Sequence, residues 1–276
     1  VKVIMNRIRP PTPPANTSSL GAKPSGVTGS ASIATTSDVS EGILSRAGSE
    51  KTPHALFAPL HYERNYAYPL IVWLHGADDN ENQLKRIMPL VSLRNYVAIA
   101  PRGTAASTDA HPAAFNWQQT GDHIQAAEER VLDCLAAAQA KFHLAAGRVF
   151  LAGCDCGGSM ALRVAMRQPR RFAGVLSFGG QFPTGDAPLA QLAEARRLSI
   201  FVACNRASQR YPTDVVCDDL RLLHSAGMSV VLREYPGTDG LTPRMLSDMD
   251  RWLMEQITRA GASAGAAAPS SPAGPR

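Results

Sequence analysis

The amino-acid sequence predicts an α/β domain built on a doubly wound, mostly parallel β-sheet with helices on both faces. Short apolar runs alternate with segments in which apolar residues recur at helical spacing, as in sheets whose strands are joined by helical crossovers. Two of the runs, Pro69–Leu74 and Val149–Gly153, are almost entirely apolar, which is expected of central strands buried on both faces. The composition, 45% hydrophobic and 18% charged residues, also fits such a core.

The predicted strands are apolar runs of strand length, bounded by Gly, Pro or polar residues. In chain order they are Ala55–Ala58, Pro69–Leu74, Tyr96–Ala100, Val149–Gly153, Phe172–Phe178, Ser199–Ala203 and Ser229–Glu234. The first is expected at the edge of the sheet, in a hairpin-like start that precedes the alternation of strands and helices.

In the first half of the domain, two helices are predicted between the strands. Glu81–Met88 is short and amphipathic, and we expect it to stop at Pro89 because proline cannot continue the backbone ladder. The second is capped near Asp122 and carries apolar residues at helical spacing over Ile124–Phe142. Between them, Thr104–Gln119 has no periodicity and is predicted as a long loop over the strand ends.

The second half of the domain contains three more predicted helices. They are Ser159–Gln168, Thr213–Ser225 and Pro243–Ile257. Pro169 ends the first, Gly227 closes the second, and Thr242 caps the third, which has Pro243 at its first position.

The composition changes at both ends of the predicted domain. Residues 1–50 are rich in Pro, Ser, Thr, Gly and Ala, and residues 260–276 consist of Gly, Ala, Ser and Pro with a final Arg. Such segments bury too little apolar surface to offset the entropy of ordering. We therefore predict a disordered N-terminal arm at 1–50, a folded domain at 51–259 and a disordered C-terminal tail at 260–276.

Charge, hydropathy and cysteine content exclude several classes of protein. The net charge is +5, with 28 basic and 23 acidic residues scattered along the chain, so no nucleic-acid partner is predicted. No apolar run approaches the roughly 18 residues of a membrane span. The cysteines are odd in number and lie mostly in apolar runs, which indicates a reducing, cytoplasmic location. No cofactor or metal is predicted, because Cys154 and Cys156 lack a second ligand pair.

The stretch from Val149 to Arg163 combines a strand, a tight turn and a helix. Its segment Gly153-Cys-Asp-Cys-Gly157 has the spacing Gly-x-nucleophile-x-Gly. In this motif a strained turn raises one side chain above the end of a buried parallel strand. Asp155 occupies the position where a serine is expected.

From about Tyr68 to Ile257 the sequence resembles the phospholipase/carboxylesterase branch of the α/β-hydrolase fold, which includes acyl-protein thioesterase-like serine esterases. The matching segments, in the family's order, are Leu74–Gly76, Leu151–Leu162 and Tyr235–Pro243. The resemblance implies an α/β-hydrolase fold and an oxyanion hole formed by the backbone N–H groups of Ala77 and Cys156.

The resemblance also implies where a catalytic triad would stand. The nucleophile position is Asp155, the acid position is Ser208, and the base position is Asp239. A serine esterase needs a serine, a carboxylate and a histidine in that chain order, so none of the three positions has the expected chemistry. The one Gly-x-Ser-x-Gly of the chain, Gly261–Gly265, lies in the predicted C-terminal tail and does not follow a predicted strand, and no histidine follows His224. The sequence therefore favours a non-catalytic pseudoenzyme that binds a ligand or a protein.

The alternative is an active hydrolase that uses Asp155 as nucleophile or a triad that the alignment misses. Haloalkane dehalogenases and epoxide hydrolases place an aspartate at the elbow, but a histidine-activated water then cleaves their ester. Asp239 could replace that histidine only with a strongly raised pKa. His123, at a helix start, is the histidine that could approach the cleft, although a capping or surface role is the commoner use. Ser159 and the two elbow cysteines are interpreted as helix start and packing.

Because backbone groups build the oxyanion hole, it can persist without the triad. Asp155 beside it would repel an anion. The sequence therefore predicts a small neutral or cationic ligand in the former active-site cleft, and it does not identify a protein partner.

Overall fold

The computed structural model describes residues 52–107 and 113–266. Its strands are β1 (His54–Phe57), β2 (Tyr68–Leu74), β3 (Val97–Pro101), β4 (Ala105–Ala106), β5 (Phe115–Asn116), β6 (Leu144–Cys154), β7 (Gly174–Phe178), β8 (Ser199–Asn205) and β9 (Ser229–Tyr235). Its helices are α1 (Gln83–Val91), α2 (Gly121–Lys141), α3 (Cys156–Arg167), α4 (Leu192–Ala195), α5 (Thr213–Ser225) and α6 (Pro243–Ala266), with a 3-10 turn at Pro169–Arg171.

Seven strands form one sheet in the order β1-β3-β2-β6-β7-β8-β9. The edge strand β1 runs antiparallel to β3, and every other neighbouring pair is parallel. The short strands β4 and β5 make a separate hairpin within the segment predicted as a loop. The prediction of a mostly parallel, doubly wound sheet is therefore confirmed.

Two apolar layers cover the sheet, and β2 contributes to both because its side chains alternate between the faces. Leu70, Val72 and Leu74 pack in the layer that contains residues of α2, α3 and α5. Ile71 and Trp73 pack on the opposite face with residues of α1 and α6. Burial on both faces explains why β2 reads as a continuous apolar run.

Helix α1 differs from its predicted bounds at both ends. It begins at Gln83 rather than Glu81, and it continues through Pro89 to Val91. Pro89 lies in the last turn, where the missing N–H removes a single ladder bond, and Val91 is buried in the core beyond it. The prediction that Pro89 stops the helix is wrong for this reason.

Helix α6 extends to Ala266, so residues 260–266 belong to a helix and not to the C-terminal tail as predicted. Ala260, Ala262, Ala264 and Ala266 supply the strongest helix-forming residue type, which offsets the intervening glycines. The predicted N-terminal arm and the rest of the tail lie outside the described residues. Within the described part of the chain, no helix is long and apolar enough to cross a bilayer.

The parallel strands place several loops at one edge of the sheet. β2 and β6 are neighbours, and the chain leaves them in opposite directions, towards β3 and towards β7. Such a reversal opens a crevice at the carboxyl ends of the two strands, where doubly wound proteins bind ligands. The residue after β6 is Asp155, so the elbow lies beside this crevice.

Candidate active site

Asp155 occupies a strained turn between β6 and α3. Its backbone has φ 53° and ψ −127°, a conformation that side-chain-bearing residues rarely adopt. The Asp155 N–H donates to the Phe178 carbonyl at 2.8 Å. Its own carbonyl accepts from the N–H groups of Gly158 at 2.9 Å and Ser159 at 3.1 Å. These bonds hold Asp155 at the first turn of α3, in the geometry of a nucleophile elbow.

Close backbone approaches explain the glycines of the elbow. A Cβ on Gly157 would lie 2.2 Å from the His75 carbonyl oxygen, and a Cβ on Gly153 would lie 2.4 Å from the Gly157 oxygen. Neither position can hold a larger residue without moving backbone. The turn is thus packed directly against the segment that follows β2.

The residues at the predicted acid and base positions are in contact. The Ser208 hydroxyl donates to Asp239 Oδ1, and it accepts from the Tyr211 N–H at 2.9 Å. The Arg210 N–H also donates to Asp239 Oδ1, at 3.4 Å. Together these bonds join the loop after β8 to the loop after β9. Ser208 is buried, and its hydroxyl is engaged on both sides.

Hydrogen bonding makes Asp239 a weak base. The Ser208 hydroxyl is the main cause, and the backbone N–H groups of Arg210 and Gln209 and the Arg210 charge add to it. Together they lower the pKa of Asp239 below the usual value for an aspartate, because hydrogen bonds to the ionised form favour it. A group that abstracts a proton near neutral pH requires the opposite shift.

The carboxylate of Asp155 forms an ion pair with the Arg210 guanidinium. Arg210 follows β8, so its side chain reaches across β7 to the elbow at the end of β6. The Arg210 side chain is 57% exposed and that of Asp155 27%. The sequence did not predict this partner. Its only signal was a basic residue two positions after Ser208.

The residues at the three predicted triad positions are therefore linked, but not as a triad. Ser208 contacts Asp239, and Arg210 connects this pair to Asp155 through its backbone N–H and its guanidinium. Arg210 is the one side chain bonded to the Asp155 carboxylate among residues 52–107 and 113–266. His123 makes no hydrogen bond or ion pair with Asp155 within those ranges.

The loop expected to supply the oxyanion hole lies against the elbow. A Cβ on Gly76 would lie 3.8 Å from the Asp155 Cβ, and Ala77 follows directly. Gln83 positions the loop, because its Oε1 accepts from the Trp73 indole at 2.7 Å and from the Gly76 N–H at 3.3 Å.

His75 supports the same loop as a neutral, buried ring. Its Nε2 accepts from the Gly103 N–H at 2.8 Å, so its Nδ1 carries the proton and donates to the Gly76 carbonyl at 2.8 Å. Burial lowers the pKa of His75. Both nitrogens are occupied, and the ring acts as a brace between two loops rather than as a base.

A polar network that the sequence did not indicate forms one rim of the crevice. The Asp78 N–H donates to Asn116 Oδ1 at 3.0 Å, and Asn116 Nδ2 donates to Asp78 Oδ1 at 3.1 Å. The Ser107 hydroxyl also donates to Asp78. Asp78 directly follows Ala77, so the β4–β5 hairpin fixes the backbone next to the expected oxyanion hole.

The elbow cysteines flank Asp155 without contacting its carboxylate. Cys154 is buried, and its Sγ lies 3.4 Å from Gln83 Oε1. Cys156 is half-buried, and its Sγ lies 3.9 Å from Asn116 Oδ1. Burial is the main cause that raises the pKa of both thiols, to about 11 for Cys156. Both are therefore protonated at neutral pH, and a protonated thiol is a poor nucleophile.

Comparisons with known proteins agree with this geometry at the level of family and fold. The Esterase family model matches residues 45–217. No curated protein matches the chain at a significant level. The structure is similar to a carboxylesterase from Mesorhizobium loti, with a TM-score of 0.63 and 15% identity over 76% of this chain and 98% of that one.

Two other solved structures illustrate the breadth of the similarity. SOBER1 from Arabidopsis thaliana gives a TM-score of 0.58 and 18% identity, over 69% of this chain and 100% of that one. YahD, solved with malic acid, gives 0.58 and 16%, over 74% of this chain and 99% of that one. Solved structures with identities this low show only that the fold is shared. The family model matches more than half of the chain and therefore shows the family. The chain therefore belongs to the Esterase family and has the α/β-hydrolase fold.

Proposed function

We propose that this protein is a non-catalytic member of the family, a pseudoenzyme that binds a small ligand at its elbow site. The observation that best supports the proposal is that the polar side chains at the predicted triad positions are already paired. Asp155 is bonded to Arg210, and Ser208 is bonded to Asp239. Acyl transfer needs a nucleophile with a base beside it, and neither pair supplies one.

The lowered pKa of Asp239 argues against the aspartate-nucleophile alternative. An ester formed on Asp155 would be cleaved by water only with the help of a base of suitable pKa. Asp239 is less basic than an ordinary aspartate, and His75 is already bonded through both ring nitrogens. A covalent intermediate would therefore accumulate rather than turn over.

Arg210 also refines the expected ligand. Asp155 already has a cationic partner, so a cationic ligand would have to displace the guanidinium. A neutral ligand with a carbonyl oxygen avoids that competition and can accept from the backbone N–H groups proposed at Ala77 and Cys156. We propose a neutral ligand first and a cationic ligand second. All five cysteines are free thiols, which supports a cytoplasmic location.

The test is ester hydrolysis with p-nitrophenyl acetate and butyrate, comparing the native protein with two variants. One is Asp155→Asn, and the other combines Asp155→Ser, Ser208→Asp and Asp239→His. We expect the native protein and Asp155→Asn to react at the same background rate, and the combined variant to exceed both. Turnover by the native protein that disappears in Asp155→Asn would establish Asp155 as a nucleophile and overturn the proposal. Circular dichroism of each variant checks that the fold is retained.

A further inference from the structure

A separate cavity of about 450 Å³ lies between the segment after β7 and helix α5. Its walls are largely apolar and include Phe182, Pro188, Leu189 and Leu222. Among the described residues that line it, one has an ionisable side chain, Asp219 of α5. The volume falls in the range of small-molecule sites, and an apolar cavity with one well-placed polar group is their usual composition.

The wall formed by residues 182–190 is held by a buried cation. Arg163 of α3 is buried and donates to the Thr184 carbonyl at 2.6 Å, the Gly185 carbonyl at 2.9 Å and Gln119 Oε1 at 2.6 Å. The turn that follows has positive φ angles at Gly185 and at the next two residues. An anchored wall of this kind keeps the cavity open without a ligand, which reduces the entropy lost on binding.

The carboxylate of Asp219 is only half satisfied. Both of its hydrogen bonds, from the Phe182 N–H at 2.7 Å and the Tyr211 hydroxyl at 2.8 Å, go to Oδ2. Oδ1 accepts no hydrogen bond within the described ranges, and no cation pairs with Asp219 there. Partial burial raises the pKa of Asp219, and the neighbouring charge of Asp218 adds to the shift. A carboxylate among apolar groups is stabilised by a cationic partner, and this one has a free oxygen on which to receive it.

We propose that this cavity binds an ammonium ion with an apolar substituent, with the ammonium group donating to Asp219 Oδ1 and the substituent lying against Phe182, Leu189 and Leu222. The apolar walls reject small hydrated cations, and the carboxylate rejects anions. The site differs from the elbow, where Arg210 already neutralises Asp155, and it does not depend on the proposed function.

The experiment uses 2-phenylethylammonium as the probe and its neutral analogue 2-phenylethanol as the comparison ligand, titrated into ¹⁵N-labelled full-length protein. Binding is followed by amide shifts of residues 182–190 and α5. Asp219→Asn removes the charge but keeps an oxygen for the Phe182 N–H. Asp218→Asn removes the neighbouring exposed charge and is the matched control. We expect saturable binding of the ammonium probe, at least ten-fold weaker in Asp219→Asn and within two-fold of native in Asp218→Asn.

Two further variants locate the site and guard against a folding defect. Ala190→Phe fills the cavity from its exposed wall and should abolish binding while leaving the melting temperature near native. Asp155→Asn should leave binding unchanged. The proposal is overturned if the ammonium probe shows no saturable binding or if 2-phenylethanol binds as tightly as the ammonium. It is also overturned if Asp219→Asn binds like the native protein, or if Asp218→Asn weakens binding as much as Asp219→Asn. Loss of binding in Asp155→Asn would place the probe at the elbow and would likewise overturn it.

Discussion

The guanidinium of Arg210 and the carboxylate of Asp155 form an ion pair across the carboxyl edge of the sheet. Arg210 comes from the loop after β8, and Asp155 stands at the elbow after β6, with β7 between them. The pair therefore engages the carboxylate of the elbow residue. The backbone N–H of Arg210 also donates to Asp239, so Arg210 contacts residues at two of the three predicted triad positions, and the third, Ser208, is bonded to Asp239.

We expect this ion pair to contribute little to stability. Both side chains are partly exposed, so solvent screens the attraction, and pairs of this kind contribute about 1 kcal/mol or less. A double-mutant cycle with Arg210→Ala and Asp155→Ala, measured by urea unfolding, should give a coupling energy below about 1 kcal/mol. The exposed pair Arg170 and Glu194 is the control. A coupling several times larger than in the control pair would show that Arg210 is a structural clamp.

The strained backbone of Asp155 predicts that glycine stabilises the elbow. A residue with a side chain at φ 53° and ψ −127° costs about 1–3 kcal/mol, and glycine avoids most of this while losing about 0.5–1 kcal/mol to its own entropy. Asp155→Gly should therefore be more stable than Asp155→Ala by about 1 kcal/mol. Urea unfolding of the two variants makes the comparison, and both lack the ion pair. Equal stabilities would mean that the turn carries no strain.

Backbone atoms of His75 and Leu74 approach Gly157 so closely that adding one methyl group there should strongly destabilise the fold. Gly157→Ala would place its Cβ 2.2 Å from the His75 carbonyl oxygen and 2.5 Å from that of Leu74, so backbone must move. We expect a loss of about 3 kcal/mol or more in the free energy of unfolding. Gly121→Ala, at the start of α2, is the control, because no described atom outside its own helix and chain neighbours lies within 4 Å of its added Cβ. Similar stabilities for the two variants would contradict this packing.

We expect the stability of the loop after β7 to depend strongly on the buried side chain of Arg163. Arg163→Met retains much of the volume but leaves the carbonyls of Thr184 and Gly185 and the Gln119 oxygen without their donor. We expect a loss of about 2–4 kcal/mol. Arg167→Met, on the same helix with a partly exposed side chain, should change stability by less than about 1 kcal/mol. Hydrogen exchange of residues 182–190 should increase in the Arg163 variant and not in the control.

The raised pKa of Cys156 predicts slow alkylation at neutral pH. The thiolate is the reactive form, so a pKa near 11 leaves about one thiol in a thousand ionised at pH 8. The iodoacetamide labelling rate of the Cys156 peptide, followed by mass spectrometry, should rise about ten-fold per pH unit from pH 8 to 10. An unstructured peptide with a single internal cysteine in the same samples should level off above about pH 9, because an unperturbed cysteine thiol has a pKa near 8.5. A plateau for Cys156 at or below that pH would restore it as a candidate nucleophile.

Much of the fold follows from local pattern. Continuous apolar runs predicted β2 and β6 as buried strands, and their alternation with helical periodicity predicted the parallel sheet. The spacing of Gly153 and Gly157 identified the turn around Asp155. These features are visible in the sequence because each depends on neighbouring residues along the chain: side-chain alternation, helical spacing, and the need for glycine where backbones meet.

Two helix boundaries differ from those that local rules predict. Pro89 did not stop α1, because burial of Val91 and a position in the last turn outweighed the loss of one hydrogen bond. Helix α6 continued into a segment whose composition indicated a tail. In both cases the boundary depends on small differences between competing free energies, and composition alone does not resolve them.

The sequence by itself determined which residue types stand at the elbow and at the positions aligned with acid and base, and it predicted that these residues replace the serine, acid and histidine of a triad. Only the tertiary structure decided how the substitutes are used. Arg210 reaches Asp155, and Ser208 binds Asp239, because strand order brings loops after β6, β8 and β9 to one edge. The half-satisfied Asp219 is likewise visible only after folding. Contacts between distant segments depend on the geometry of the whole sheet, which no local pattern encodes.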